Sequence, residues 1–219
     1  MTRRFDPALL PPAPDLSLES ALWEHGVSAI AGIDEAGRGA LAGPVAAGAV
    51  ILPAEPEIAE ELHGVNDSKK MTPKQREIWA ATIKETALAW GLGFASNQEI
   101  DEIGIIPATR LAAWRALEQL AIPPTFLLID ALLLPDHPLP QTSLLKGDAR
   151  SLSIAAASVI AKVGRDGLMC DLDRKYPAYG LAAHKGYGTA FHRAVITEHG
   201  PCPLHRMTFA PMREVVESM

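Results

Sequence analysis

The chain of 219 residues is long enough for one medium-sized domain with a substantial core, and its 48% hydrophobic and 21% charged residues are ordinary for a globular protein. No apolar run is long enough to span a bilayer or to form a signal peptide near the N-terminus, so a cytoplasmic protein without a membrane partner is expected. The net charge of −6 argues against general nucleic-acid binding, but residues 146–206 carry nine Lys and Arg against five Asp and Glu, and a phosphate-binding face needs only local positive charge.

The first part of the sequence predicts a tail, a short helix and a pair of strands. Four prolines in residues 5–15 favour an extended tail. Two apolar strands are separated by a turn rich in glycine and are close enough to pair in antiparallel fashion. In chain order these elements are the tail (5–15), a helix (16–25) that Gly26 ends, a strand (28–34), the turn (37–43) and a strand (45–52).

The rest of the sequence alternates strands with helices. Thr72, Pro73 and Gln75 form a strong helix start, with Thr72 as the N-cap. The predicted elements are a loop (66–71), a helix (73–86), a strand (87–95), a helix (107–120), strands (126–130 and 143–146), a helix (151–174), a loop (180–189), a helix (190–198) and an irregular segment (201–211). This order predicts an α/β fold in which helices flank a mixed sheet, with a helical C-terminal segment.

Four acidic residues follow or end predicted strands. Asp34 and Glu35 end the first strand, Asp130 ends the apolar strand 126–130, and Asp148 follows the strand 143–146. Carboxylates at strand ends of an α/β domain gather at one edge of the sheet, where their repulsion raises their pKa values unless a cation neutralises them. Oxygen ligands without His or Cys suit Mg²⁺ or Mn²⁺, and two such ions about 3.5–4 Å apart support in-line attack on a phosphodiester.

The simpler interpretation is that each acid is a helix cap or a turn residue. Asp148 lies just before a predicted helix and fits a capping role as well as a metal-binding role. A cap explains Asp130 less well, because the apolar residues Ala131 and Leu132 follow it. The residues alone leave both interpretations open.

Several motifs together resemble the type 2 ribonuclease H family, ribonuclease HII. They occur in the family's order and cover roughly residues 28–212. The motifs are Gly32-Ile33-Asp34-Glu35-Ala36-Gly37-Arg38-Gly39, Asp67-Ser68-Lys69-Lys70, Asp130 at its strand end, Lys146-Gly147-Asp148, the helical segment 154–166, His184-Lys185-Gly186-Tyr187-Gly188-Thr189, and His205-Arg206 with Phe209-Ala210-Pro211.

The resemblance implies a ribonuclease H-like fold and a metal-dependent endonuclease. It implies catalytic and metal-binding roles for Asp34, Glu35, Asp130 and Asp148, with Mg²⁺ or Mn²⁺ as cofactor. The expected substrates are RNA–DNA hybrids and duplex DNA with embedded ribonucleotides, which a monomer cuts on the 5′ side of the ribonucleotide to leave 3′-OH and 5′-phosphate ends. The expected division is a tail with a short helix (1–27), a catalytic domain (28–212) and a C-terminal tail (213–219).

The sequence departs from the family pattern in two places. Ala131-Leu132 stands where Gly-Asn is common after the third acid, which changes the loop but keeps the ligand. Met207-Thr208-Phe209 stands where Arg-Ser-Phe is usual, so that one positive charge is lost while a hydroxyl is kept.

Recognition of a ribonucleotide requires a group in the protein that contacts the 2′-OH, because this hydroxyl distinguishes RNA from DNA. Gly37-Arg38-Gly39 suits this role, since glycine lets backbone groups approach a sugar, and the resemblance assigns the same role to Tyr187. The simpler interpretation is that Gly186 and Gly188 make a turn that Tyr187 covers. Lysines and an arginine in the motifs are candidate phosphate contacts or merely solvated charges, with Lys69 and Lys185 favoured over Lys70, Lys146, Lys162 and Arg165.

Other functions fit the sequence less well. A nucleotide-binding domain would need a different spacing in the glycine turn and a following helix. A zinc-binding module could use His199, Cys202 and His205, but a fourth ligand is missing nearby. The combination of Gly37-Arg38-Gly39 with Tyr187 argues against a different nuclease or recombinase of the same fold. The related type HIII branch usually carries an extra N-terminal substrate-binding domain, for which the roughly 27 residues before the first predicted strand are too few.

Overall fold

The fold is seen in a computed structural model that describes residues 10–210 and 212. Five strands form one mixed sheet in the order β3-β2-β1-β4-β5. β1 pairs in antiparallel fashion with β2, which pairs likewise with β3, whereas β4 and β5 run parallel to β1. The strands are β1 (Ile30–Ala36), β2 (Val45–Ile51), β3 (Ala89–Ala95), β4 (Phe126–Asp130) and β5 (Gln141–Leu144). The predicted α/β fold with a mixed sheet is confirmed.

Eight α-helices accompany the sheet within the described residues, and none is long and apolar enough to cross a membrane. Thr72 and Gln75 form the predicted capping box at the start of α3. The helices are α1 (Ser17–Glu24), α2 (Ile58–Glu61), α3 (Pro73–Thr86), α4 (Asn97–Ile103), α5 (Ile105–Leu117), α6 (Leu152–Asp173), α7 (Leu181–His184) and α8 (Ala190–His199).

The short helices are the main difference from the prediction. α2 and α4 were not predicted, although Ser96 and Glu99 form a capping box that signals the start of α4. The predicted loops 66–71 and 180–189 contain a 3-10 turn (Ser68–Lys70) and α7, respectively. Helices of one or two turns show too few apolar repeats to stand out in a sequence.

Several strand boundaries are shifted by one or two residues from the prediction, and the ends of β1 and β5 bear on the acids. β1 continues beyond Asp34 and Glu35 to Ala36, because those residues pair with β2. β5 ends at Leu144, earlier than predicted, and Lys146 has a left-handed backbone (φ 58°) that cannot extend a strand. Asp130 therefore ends its strand as predicted, whereas Asp34 lies inside one.

Glycines on the sheet allow helices to approach its two faces closely. A Cβ on Gly32 of β1 would lie 2.2 Å from the backbone of Ser153, and one on Gly48 of β2 would lie 2.3 Å from Ala157, both in α6. On the other face, a Cβ on Gly93 of β3 would lie 2.1 Å from Ala112 of α5. α6 and α5 thus cover opposite faces of the sheet and bury it in two apolar clusters.

The start of α6 is held by the N-terminal helix α1. Glu19 of α1 is buried, and one of its carboxylate oxygens accepts hydrogen bonds from the hydroxyls of Ser151 and Ser153, both at 2.6 Å, and from the Ser153 N–H. A carboxylate at a helix N-terminus also interacts favourably with the helix dipole. α1 therefore fixes the end of α6 nearest to Asp148.

The C-terminal segment packs against the turn between β1 and β2. Tyr179, Leu181 and Val195 form an apolar cluster with Ala42 of this turn and Met169 of α6. Ala42 also pairs with His205 in an isolated antiparallel bridge. The predicted helical C-terminal segment is therefore present. The predicted C-terminal tail (213–219) and residues 5–9 of the predicted proline-rich tail (5–15) lie outside the described residues.

Replacing Gly32 with alanine should destabilise the protein, because the new Cβ would overlap backbone atoms that cannot rotate away. We expect a loss of at least about 1–3 kcal/mol in the free energy of unfolding. The control is Gly167→Ala in α6, where a Cβ meets nothing within 4 Å. There, alanine should raise the free energy of unfolding by about 0.5–1 kcal/mol, because it favours the helix more than glycine does. Urea unfolding measures both variants, and a Gly32→Ala midpoint equal to that of the wild type would contradict the proposed packing.

Candidate active site

The sheet register places two of the predicted acids side by side. Ile33 of β1 pairs with Ile129 of β4, so the next residues, Asp34 and Asp130, are neighbours across the parallel pair. Asp34 is buried on the face of β1 that Gly32 shares, which is the face covered by α6. The sequence of β1 thus turns Asp34 towards the start of α6.

Asp148 reaches the same place from a 3-10 turn (Gly147–Ala149) just before α6. The N–H of Gly147 donates a 2.7 Å hydrogen bond to Asp130 Oδ1, which ties this turn to the end of β4. The N-cap of α6 is Ser151, whose side chain accepts from the Ile154 N–H. Asp148 is therefore not the cap of α6, and the capping interpretation does not hold for it.

The three aspartates form a compact group of oxygen ligands. One carboxylate oxygen from each of Asp34, Asp130 and Asp148 lies within 4.8 Å of the others, and among the described residues this is the one such cluster of His, Cys, Asp or Glu. The Oδ1 of Asp148 is buried and has no hydrogen-bond partner in the described part of the chain. Three clustered carboxylates, one of which has a buried oxygen without a partner among the described residues, fit a hard divalent cation such as Mg²⁺ or Mn²⁺.

The electrostatics of this cluster are unfavourable without a cation. Burial, followed by repulsion from Glu35 and Asp130, raises the pKa of Asp34 well above its ordinary value. Burial also raises the pKa of Asp130 and of Asp148, although the Gly147 N–H opposes the rise at Asp130. The Nζ of Lys69 lies 3.8 Å from Asp148 Oδ2, and the nearby carboxylates raise the pKa of Lys69 despite the opposing effect of its burial.

Glu35, the fourth predicted acid, lies beside this group and not within it. Side chains alternate along a strand, so Glu35 and Asp34 point to opposite faces of β1. Glu35 Oε1 accepts a 3.0 Å hydrogen bond from Arg38, and its charge contributes to the raised pKa values of Asp34 and Asp130. A metal-binding role for Glu35 stays a prediction.

A cleft of about 400 Å³ opens next to the acids, and we call it the recognition cleft. It brings together the glycine turn, the Lys69 loop and the loop after α7, which are far apart in sequence. Its lining residues are Glu35, Ala36, Gly37, Arg38, Gly39, Ser68, Lys69, Lys162 and Tyr187.

The glycine turn is held in place by two buried arginines. Arg206 donates to the carbonyl oxygens of Gly37 and Arg38 at 2.8 Å and of Gly43 at 3.0 Å. Arg165 donates to the carbonyls of Ala42, Pro44 and Lys185. Arg165 is thus a structural residue, and its assignment as a phosphate contact is wrong. Sequence reasoning missed this role, since nothing in a motif tells a buried arginine from an exposed one.

Tyr187 and Lys185 belong to the loop after α7, but they lie in different surroundings. Tyr187 is 36% exposed and borders the recognition cleft, where Lys162 Nζ is 5.8 Å and Arg165 Cζ is 5.5 Å from the centre of its ring. Lys185 lines an adjacent groove, and its Nζ donates to the carbonyl of Ala182. The structure therefore places Lys69 and Tyr187 on the cleft, while Lys185 lies apart from it.

The three residues considered as ligands of a zinc-binding module do not converge. His205 is buried, and its Nδ1 accepts from the N–H of Cys202, so this nitrogen is engaged in a backbone contact. His199 is exposed at the end of α8, 3.9 Å from Glu198. These three residues form no cluster of metal ligands in the part of the chain that the structure describes.

Comparisons with known proteins agree with this architecture. The family model for ribonuclease HII matches residues 31–212. A ribonuclease HII from Dehalococcoides mccartyi (strain ATCC BAA-2266 / KCTC 15142 / 195) is 52% identical over 93% of this chain and 96% of its own length, and one from Chloroflexus aurantiacus is 53% identical over 94% and 98%, respectively. The crystal structure of the ribonuclease H2 from Pyrococcus horikoshii superposes with a TM-score of 0.70 at 28% identity, covering 86% of this chain and 97% of that one.

Asp34→Asn should stabilise the metal-free protein at neutral pH. The raised pKa means that the folded protein holds this proton more tightly than the unfolded chain does, so ionised Asp34 lowers stability as the pH rises above its ordinary value of 3.8. At pH 7.5 in the presence of chelator, we expect the melting temperature of the variant to lie several degrees above that of the wild type, since each kcal/mol of added stability raises it by about 2–4 °C. The difference should shrink as the pH falls towards 4. The exposed Asp136→Asn is the control, and a lower melting temperature for Asp34→Asn at pH 7.5 would contradict carboxylate repulsion.

Proposed function

The chain belongs to the ribonuclease HII family and is a metal-dependent phosphodiester hydrolase with ribonuclease H activity, and from that premise we propose its substrates and chemistry. We propose that it hydrolyses the RNA strand of RNA–DNA hybrids and cuts on the 5′ side of single ribonucleotides in duplex DNA. The products carry 3′-OH and 5′-phosphate ends. Residues 28–212 form the catalytic unit in this proposal.

One observation carries the proposal. The recognition cleft is lined by Lys69, whose Nζ lies 3.8 Å from Asp148 Oδ2 of the aspartate cluster, and also by Gly37-Arg38-Gly39 and Tyr187. A group that hydrolyses a phosphodiester and a group that reads a sugar must lie within one nucleotide of each other. Their convergence from separate parts of the sequence favours a nuclease that selects a ribonucleotide at the bond it cuts.

In this proposal, Asp34, Asp130 and Asp148 hold divalent ions and Glu35 completes the ligand set. When bound, two such ions supply an activated water at neutral pH and neutralise the charge that builds on the scissile phosphate. The neighbouring ammonium of Lys69 adds a positive charge that attracts the phosphate backbone. Among the described residues the cluster of possible metal ligands contains three aspartates and no His or Cys. In this proposal water is the attacking group, and the 2′-OH is bound but does not react.

The backbone of Gly37-Arg38-Gly39 is suited to bind the 2′-OH. The N–H groups of Arg38 and Gly39 and the carbonyl of Gly39 have no hydrogen-bond partner among the described residues. A Cβ on Gly39 would meet nothing within 4 Å, so packing inside the protein does not require glycine there. Free backbone groups beside open space support direct contact with a sugar.

Tyr187 faces the same cleft and packs against the sugar in this proposal. Its ring is large, half-exposed and backed by the cations Arg165 and Lys162. In this proposal Tyr187 contributes binding and not proton transfer. Lys185, which lines the adjacent groove, contacts a phosphate farther along the strand.

The proposed reaction is tested on a DNA duplex that contains one ribonucleotide, with an all-DNA duplex as the control. With Mg²⁺ we expect a single cut on the 5′ side of the ribonucleotide, and excess chelator should abolish it, because the carboxylates cannot promote hydrolysis without cations. Folded Asp34→Asn should lose nearly all turnover. A product with a 2′,3′-cyclic phosphate, or full activity in chelator, would rule out the proposed chemistry.

Two variants of Tyr187 separate its ring from its hydroxyl. Tyr187→Phe keeps the packing and should lose about 0.5–1.5 kcal/mol of transition-state binding if the hydroxyl bond is neutral. Tyr187→Ala also loses the packing, which for a stacked aromatic is worth about 1–3 kcal/mol. The kcat/KM on a single embedded ribonucleotide should therefore fall further for Ala than for Phe. Cleavage of long RNA–DNA hybrids, on which the enzyme can bind in many registers, should be affected less. If Tyr187→Ala cleaves the single-ribonucleotide substrate as fast as the wild type does, Tyr187 only covers the loop and does not bind the sugar.

A further inference from the structure

Three imidazoles lie together behind the loop that carries Tyr187. The rings of His184 and His192 stack with centroids 4.2 Å apart, and the Nε2 atoms of His192 and His205 are 3.1 Å apart. His192 and His205 are buried, and neither touches the aspartate cluster. The proposed chemistry uses none of these rings.

The hydrogen bonds around His205 and His192 define one arrangement of protons. The carbonyl oxygen of Tyr187 can only accept, so His192 Nδ1, which lies 3.0 Å from it, carries the proton of the neutral ring. His192 Nε2 must then accept from His205 Nε2–H, 3.1 Å away. This leaves His205 Nδ1, which lies 2.9 Å from the N–H and 3.1 Å from the carbonyl oxygen of Cys202, to accept from that N–H. The two neutral rings thus form a directed chain from Cys202 to the backbone of Tyr187.

His184 holds the other side of the same loop. Its Nε2 donates to the carbonyl of Tyr179 at 2.8 Å, and its Nδ1 accepts from the N–H of Gly186 at 3.2 Å. Burial lowers the pKa of His192 to about 4 and also lowers that of His205. The rings of His192 and His205 therefore favour the neutral form, as their pattern of donors and acceptors requires.

The ring of Tyr187 depends on its backbone for its position. It is partly exposed, and its cationic neighbours lie more than 5 Å from its centre, so side-chain packing alone fixes it weakly. His205 is adjacent to Arg206, which holds the carbonyls of Gly37 and Arg38. One dipeptide therefore connects to both loops that line the recognition cleft.

We propose that His192 and His205 are positioning residues for ribonucleotide recognition. Their hydrogen-bonded pair fixes the carbonyl of Tyr187, and hence its ring, at a set distance from Gly37-Arg38-Gly39. The inference rests on the proposed function of Tyr187 as a reader of the sugar. A contact with a single hydroxyl group needs a fixed position of the Tyr187 ring, because a displacement of about 1 Å already weakens a positioned interaction severely.

The first test observes the protons directly and needs no substrate. Long-range ¹H–¹⁵N correlation spectra of the ¹⁵N-labelled full chain at pH 7.5 report the tautomer of each histidine. We expect the proton of His192 on Nδ1 and that of His205 on Nε2. The opposite tautomer in either ring would overturn the inference, even if the enzyme is active.

The second test is kinetic and compares His192→Leu with the conservative His192→Asn. The leucine variant loses the donor to the Tyr187 carbonyl, and its kcat/KM on a single embedded ribonucleotide should fall about tenfold, chiefly through KM. Asparagine places an N–H near the position of Nδ1 and should restore most of the loss. Thr197→Val, an exposed change on the same helix, is the control, and melting curves confirm that each variant is folded.

A double variant shows whether the histidine acts through Tyr187. In the Tyr187→Ala background, His192→Leu should cause no further loss, whereas an additive loss would indicate general destabilisation and overturn the inference. Wild-type protein that leaves the substrate intact would refute the proposed function and the inference with it. Wild-type cleavage together with an unaffected His192→Leu would refute the inference alone. Should His192→Leu not fold, the tautomer measurement still decides the question.

Discussion

The close approach of α6 to β1 and β2 is the constraint on which the site depends. Gly32 and Gly48 leave no side chain between the sheet and the helix backbone, so α6 lies directly on the strand that carries Asp34. Its first turn then follows Asp148, and farther along it Arg165 reaches the loops of the recognition cleft. One helix thus sets the position of a proposed metal ligand and of the elements that line the cleft.

This packing brings together carboxylates that repel one another. Asp34 is buried beside Glu35, Asp130 and Asp148, so its ionised form is costly in the metal-free protein. A core built for stability alone would place an apolar residue at this point of β1. The clustered negative charges become favourable only when a cation binds, because they then attract the cation. The instability of the empty site and its affinity for metal therefore have one physical origin.

The sequence predicted the regular elements and the aspartates, because apolar periodicity and strand ends are local signals. β4 ends at Asp130 as predicted, and α3 begins with its capping box. The proximity of Asp34 and Asp130 depends on the register of β1 and β4, in which Ile33 pairs with Ile129, nearly a hundred positions away, and this register has no local signal in the sequence. The interior location of Arg165 and Arg206 was equally hidden, since arginine is almost never buried unless its donors are satisfied, and here backbone carbonyls satisfy them.

Backbone atoms that bind a sugar must be held in position more strictly by the fold than carboxylates that bind a cation. A cation attracts carboxylates into place, whereas the N–H groups of Arg38 and Gly39 gain nothing from the substrate unless they already point towards it. Apolar packing is not directional and would leave the turn free to rotate. Guanidinium groups fix the carbonyls of the turn in direction as well as distance, and burial keeps water from competing for them. Charged and polar groups therefore occupy the interior behind the recognition cleft because only directional bonds can hold a backbone ready for a hydroxyl.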